Sequence, residues 1–124
     1  MKNILLSCFF ILFSFGVSAQ GWKDLNSQVL ELYKNKEFEK ALPIAEQTIK
    51  AVKKELGEIN ESYVTVLENL ASIYIQLAQL EKAEPIYIQA AEIKKKVSGE
   101  SHPDYGKSLN NLAGLYKKMK QKKK

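Results

Sequence analysis

From Trp22 onward, apolar residues recur at intervals of three and four, which places them on one face of an α-helix. The first such segment carries Leu25, Val29, Leu32 and Tyr33 in this spacing. Similar patterns continue towards the end of the chain, separated by short polar breaks. The sequence therefore predicts an all-α fold, with helices over residues 22–33, 39–56, 63–78, 81–97 and from about 103 onward.

Residues at the helix boundaries support these limits. Gly57 follows the second helix and Gly99 the fourth, where a glycine in the left-handed C-cap conformation is expected. Pro43 lies near the first turn of the second helix, where its missing amide hydrogen costs little. Ser101 and Asp104 have the spacing of a capping box, which predicts the start of the fifth helix.

An internal repeat organises these helices. When the chain is shifted by 42 residues against itself, ten of twenty positions are identical between 39–58 and 81–100, and eight of twenty between 63–82 and 105–124. The identities include Pro43 with Pro85 and Gly57 with Gly99, which unrelated amphipathic helices would not align. We infer a true repeat, in which small residues let helix backbones approach and larger ones fill the space around them.

The repeat resembles the tetratricopeptide signature of Leu-Gly/Ala-x-x-Tyr, Ala, aromatic and Ala. The matching residues are Leu70, Ala71, Tyr74, Ala83, Tyr87 and Ala90. The period exceeds the usual value of about 34, which is similar to the long-helix subtype of kinesin light chains and many bacterial repeat proteins. The resemblance implies helical hairpins stacked as a short right-handed superhelical solenoid of about two and a half repeats, over residues 22–62, 63–104 and 105–124.

Both ends depart from the family pattern. In the first repeat one residue is missing between Tyr33 and Ala41, which we interpret as an atypical N-terminal capping repeat. The third repeat stops after its first helix and ends in lysines. Either this helix is a solvated C-terminal cap, or the chain is part of a longer array. We favour the longer array, because Leu115 and Met119 would otherwise be partly uncovered.

The N-terminus has the pattern of a secretory signal peptide. Lys2 precedes an apolar run over 4–15, and Val17 and Ala19 are small residues at the positions that a signal peptidase reads. We therefore expect export to the periplasm or the extracellular space, with 1–19 removed and a repeat domain over 20–124. The run is shorter than a bilayer span, which argues against a membrane anchor. Cys8 loosely fits a lipid-attachment site but has only a short apolar run before it.

Composition narrows the possible chemistry. Cys8 is the only cysteine and His102 the only histidine, so the mature chain offers no thiol and no histidine pair for catalysis or metal binding. We expect no enzymatic activity and no cofactor, and no small-molecule substrate is evident. The formal charge of +5 comes from a lysine-rich tail, and the absence of arginine argues against nucleic-acid recognition.

The family resemblance implies a peptide-binding groove. The first helix of each repeat lines the concave side in this family, and a polar residue there contacts the bound backbone; Asn69 and Asn111 match that position. The same register adds Thr65, Glu68, Ser72, Gln76, Lys107, Asn110, Lys117 and Lys118. The lysines could favour an acidic peptide or a C-terminal carboxylate. The alternatives are structural asparagines between repeats and a solvated lysine face.

These patterns predict a non-catalytic module that binds an unknown protein or peptide. A second hypothesis is that the chain is the N-terminal part of a larger secreted protein, with a downstream effector domain that could be protease-like. A third is self-association, in which the segment 105–119 stacks against another copy.

Overall fold

The computed structural model describes residues 21–123, and within them five helices follow one another. These are α1 (Trp22–Lys34), α2 (Phe38–Leu56), α3 (Glu61–Gln76), α4 (Leu80–Ser98) and α5 (Pro103–Lys122). All five predicted helices are confirmed, with boundaries within about two residues. The predictions for the signal peptide and Cys8 lie outside the described residues.

Each helix packs against the next one along the chain, so α1 with α2 and α3 with α4 form hairpins, and α5 closes the array against α4. The first helices of the hairpins are also neighbours, because side chains of α3 bond to both α1 and α5. We call α1, α3 and α5 the first-helix layer. The predicted all-α repeat solenoid is confirmed. Between residues 21 and 123, no helix is both long and apolar enough to cross a bilayer.

The alanines of the repeat pattern lie where the helices approach most closely. Ala71, Ala83 and Ala90 have no exposed surface. Ala71 packs with Ala83 and Tyr87 in one cluster between α3 and α4, while Ala90 packs with Leu67 in another. The predicted division between small residues at the crossing and large residues around it is therefore confirmed.

The turn between the two helices of each hairpin has the same backbone in both repeats. Lys36 has φ of 60° and Ala78 has φ of 59°, and the two positions are separated by the repeat period. The hydrogen bond of Glu37 N–H to Leu32 is reproduced by that of Gln79 N–H to Tyr74. The predicted missing residue in the first repeat is thus wrong. The period of 42 holds throughout, and Leu32 takes the place of Tyr74.

Two predictions about helix ends need correction. Gly57 and Gly99 do have positive φ, of 80° and 93°, but their ψ values of −173° and 159° are extended rather than left-handed helical. Only glycine adopts this region readily. The N-cap of α5 is His102, whose Nδ1 accepts the Asp104 N–H at 3.1 Å, so the predicted capping box with Ser101 is wrong.

The C-terminal helix is covered differently from the prediction. Leu115 is almost completely buried, against Ala71, Leu80 and Ala83, and Met119 is half-buried beside it. The exposed apolar side chains of α5 are instead Leu109 and Tyr116. The prediction that Leu115 would be uncovered is wrong, because α5 turns that side chain towards the preceding hairpin.

Candidate binding surface

Polar side chains connect neighbouring helices of the first-helix layer. The Asn69 Nδ2 of α3 donates to the Asn26 Oδ1 of α1 at 3.0 Å. Two turns further along, the Gln76 Nε2 donates to the Tyr33 hydroxyl at 3.3 Å. Asn69 is half-buried, so this amide pair joins the first two repeats. Asn69 was predicted as a groove residue, and it has a structural bond as well.

The same contact recurs one repeat later. Asn26 and Glu68 occupy equivalent positions, 42 residues apart, and so do Asn69 and Asn111. Asn111 hydrogen-bonds to Glu68 as Asn69 does to Asn26, and the Ser108 hydroxyl donates to Glu68 Oε1 at 3.2 Å. The interpretation of the asparagines as inter-repeat contacts is therefore supported. Asn26 was missed by the sequence prediction, although the 42-residue shift from Glu68 points to it.

A small pocket of about 170 Å³ opens between α1 and α3. We call it the α1–α3 pocket, and it is lined by Val29, Leu30, Tyr33, Asn69 and Ser72. The Ser72 hydroxyl lies 3.5 Å from the Tyr87 hydroxyl behind it. This pocket has an apolar floor and carries two of the predicted groove residues at its rim.

A larger and more polar pocket of about 400 Å³ lies between α3 and α5. We call it the α3–α5 pocket, and it is lined by Val64, Thr65, Glu68, Lys94, Asp104, Lys107, Ser108 and Asn111. Four predicted groove residues meet here: Thr65, Glu68, Lys107 and Asn111. The exposed Thr65 hydroxyl donates to the Glu61 carbonyl oxygen of its own helix, so its side chain holds no second helix in place.

Lys94 forms the charged floor of the α3–α5 pocket. It is buried, with 8% of its surface exposed, and its ammonium bonds to Glu61 of α3 and lies 3.6 Å from Asp104 of α5. One side chain thus joins three helices. The sequence signal for it is that Lys94 stands 42 residues after Val52, which is fully buried in the first repeat. A lysine in a core position needs partners of opposite charge.

The charges in this pocket shift one another's pKa values. Burial alone would lower the pKa of the Lys94 ammonium, but the bond from Glu61 and the charges of Asp104 and Glu68 raise it. The hydrogen bond from Lys94 lowers the pKa of the Glu61 carboxyl, and that from Lys107 lowers the pKa of Asp104. Burial raises the pKa of Glu68. A cationic floor therefore lies beside one poorly solvated carboxylate.

The other predicted residues are dispersed. Lys107 is exposed but lies 3.3 Å from Asp104, so the pocket's outer lysine already has an internal counter-ion. Lys118 lines a separate surface groove of about 430 Å³ near the end of α3. Asn110 and Lys117 are exposed on α5 and line none of these three cavities. The structure thus groups six of the ten predicted residues into two adjacent pockets.

The described helices form a stack of hairpins repeated every 42 residues, which defines an all-α helical repeat protein. The family model for the tetratricopeptide repeat matches residues 62–124, half of the chain. The chain therefore belongs to the tetratricopeptide repeat family, whose members generally mediate protein–protein interaction. A search among curated proteins found no match.

Proposed function

We propose that this chain is an exported, non-catalytic interaction module that binds an extended segment of a partner protein along its first-helix layer. The observation that carries the proposal is the recurrence of one polar position in two neighbouring pockets. Asn69 lines the α1–α3 pocket, and Asn111, one repeat later, lines the α3–α5 pocket. Neighbouring packed helices lie roughly 10 Å apart, a distance that about three residues of extended chain cover.

The chemistry of the two pockets suggests how such a segment would be held. The α1–α3 pocket offers an apolar floor for one side chain, and the α3–α5 pocket offers hydroxyl, amide and ammonium groups for another. The rigid helices would lose little conformational freedom on binding, which favours affinity. Because Lys107 is already paired with Asp104, selection for acidic peptides would rest on Lys94 and on the exposed lysines of α5.

Thr65 offers a way to test this proposal without removing a contact between helices. Replacing Thr65 by Tyr would fill the α3–α5 pocket, while the matched change Gln47→Tyr adds the same ring at an exposed site on α2. Random peptides selected by display against residues 20–124 should lose affinity at least about tenfold for the Thr65→Tyr chain. They should bind the Gln47→Tyr chain normally. Equal affinity for both variants would remove the α3–α5 pocket from the proposed site.

Export is the second part of the proposal, and it rests on the sequence of residues 1–19. Expression of the full chain in a bacterial host should yield a secreted or periplasmic product that begins at Gln20. N-terminal sequencing of the purified protein measures this directly, and an uncleaved cytoplasmic product would contradict it. The long-helix subtype rests on the 42-residue period. The longer array with a downstream effector domain stays a prediction.

A further inference from the structure

The outer face of α5 keeps the apolar pattern of a covered helix. Leu109 corresponds to Leu67 in the preceding repeat, yet Leu109 is 42% exposed and Leu67 only 3%. Ala113 is exposed where Ala71 is fully buried. We call Leu109, Ala113 and Tyr116 the α5 end face; in α3, the equivalent residues are covered largely by α4.

The opposite end of the array does not have this feature. In the second repeat, Leu70 and Ile73 pack against the hairpin that precedes them. The equivalent residues of the first repeat are Gln28 and Glu31, which are polar, as expected for a surface that faces water. The sequence therefore adapts the N-terminal end to solvent and leaves the C-terminal end apolar. A contiguous exposed apolar stripe on a helix indicates a contact surface.

The charges around the α5 end face indicate the occupant. Between residues 103 and 123 the only acidic residue is Asp104, which is already paired with Lys94 and Lys107. Six lysines lie in the same segment: Lys107, Lys117, Lys118, Lys120, Lys122 and Lys123. Two copies of this face would bring like charges together, which disfavours a symmetric dimer. An acidic helix would instead complement the lysines.

The chain contains an example of the required contact in α4. A three-residue turn joins α3 to α4, so the first turn of α4 lies beside the end of α3. That turn carries Glu81, whose Oε1 lies 3.4 Å from the Lys122 ammonium of α5. A helix placed on α5 in the same way would begin beside the lysine-rich end, where acidic residues in its first turn also suit the helix dipole.

We propose that the α5 end face docks an amphipathic helix with an acidic first turn, supplied by a partner protein, which takes the place of a second helix in the third hairpin. The apolar stripe of that helix covers Leu109, Ala113 and Tyr116, and its acidic turn lies beside Lys117 and Lys120. This surface is separate from the two pockets of the first-helix layer, so Thr65→Tyr leaves it unchanged.

A labelled peptide with the sequence of residues 79–98 serves as the probe, because α4 already covers the equivalent face of α3. It should bind residues 20–124 saturably in fluorescence anisotropy, and added salt should weaken the binding. Leu109→Ser should reduce the affinity about tenfold, through the lost leucine burial. The control Leu56→Ser removes an equally exposed leucine from the end of α2 and should have no effect.

A second peptide carrying Glu81→Lys and Glu84→Lys tests the charge argument and should bind at least about tenfold more weakly. Three results overturn the proposal: no saturable binding at about 1 mM peptide, equal affinity for the Leu109→Ser and Leu56→Ser chains, or equal affinity of the two peptides. Sedimentation at two concentrations covers the remaining occupant. A dimer that Leu109→Ser dissociates would assign the face to a second copy and also overturn the proposal.

Discussion

Gly99 and Gly114 give a direct test of the backbone that joins the repeats, because the same substitution should have opposite effects at the two sites. Gly99 links α4 to α5 with φ of 93° and ψ of 159°, a region essentially restricted to glycine. Gly114 lies inside α5, on an exposed surface. A Cβ built at either glycine meets no atom within 4 Å, so crowding has no part in the comparison.

The expected magnitudes follow from the backbone alone. Gly99→Ala forces an L-residue into a strained conformation and should lower the free energy of unfolding by about 2 kcal/mol. Gly114→Ala removes a flexible residue from a helix interior and should raise it by about 1 kcal/mol. For a domain of this size, 1 kcal/mol corresponds to roughly 4–8 °C in Tm.

Circular dichroism during urea and thermal unfolding of residues 20–124 measures both changes. Gly99→Ala should unfold at lower urea and lower temperature than the unsubstituted chain, and Gly114→Ala at higher values, with similar urea dependence. Gly57→Ala should behave like Gly99→Ala, since Gly57 holds the same conformation after α2. If Gly99→Ala and Gly114→Ala shifted stability in the same direction, the assigned linker conformation would be refuted.

Two further predictions concern the charges of the α3–α5 pocket. Lys94→Met should lower stability by about 1 kcal/mol at pH 7, whereas Lys96→Met at an exposed site should not. Because Lys94 lowers the carboxyl pKa of Glu61 and Asp104 also titrates low, the loss should shrink as pH falls through those lowered values, and again above pH 10.5 as Lys94 deprotonates. Urea midpoints against pH measure this, and a pH-independent loss would contradict it. Glu68→Gln should stabilise the chain at pH 7, because the raised Glu68 pKa means that its charged form opposes folding, and the gain should vanish in acid where Glu68 is protonated. Destabilisation at pH 7 would show that the Ser108 and Asn111 bonds need the charge.

The fold was predictable because the 42-residue period is a property of the sequence itself. Matching Gly57 with Gly99 and Ala41 with Ala83 places each helix end and each close crossing, and the structure confirms them. The first repeat was misaligned at Tyr33, since a tyrosine was matched to Tyr74 by residue type. The turn geometry at Lys36 and Ala78 gives the correct alignment instead.

The binding surface was less predictable, because it depends on contacts between residues in different repeats. The register placed Asn69 and Asn111 on the first-helix layer, but it did not reveal that each bonds to the preceding repeat. Lys94 was overlooked since periodicity assigns its position to the core. Its role depends on Glu61 and Asp104, which only the packed helices bring within reach.

The central claim is that a partner segment binds across the first-helix layer, and chemical-shift mapping tests it most directly. A peptide selected against residues 20–124 would be titrated into the isotope-labelled chain while its backbone amides are followed. The account predicts that the largest shifts cluster at Thr65, Asn69, Lys107 and Asn111, around the two pockets. Shifts confined to α2 and α4, or to the α5 end face, would contradict it.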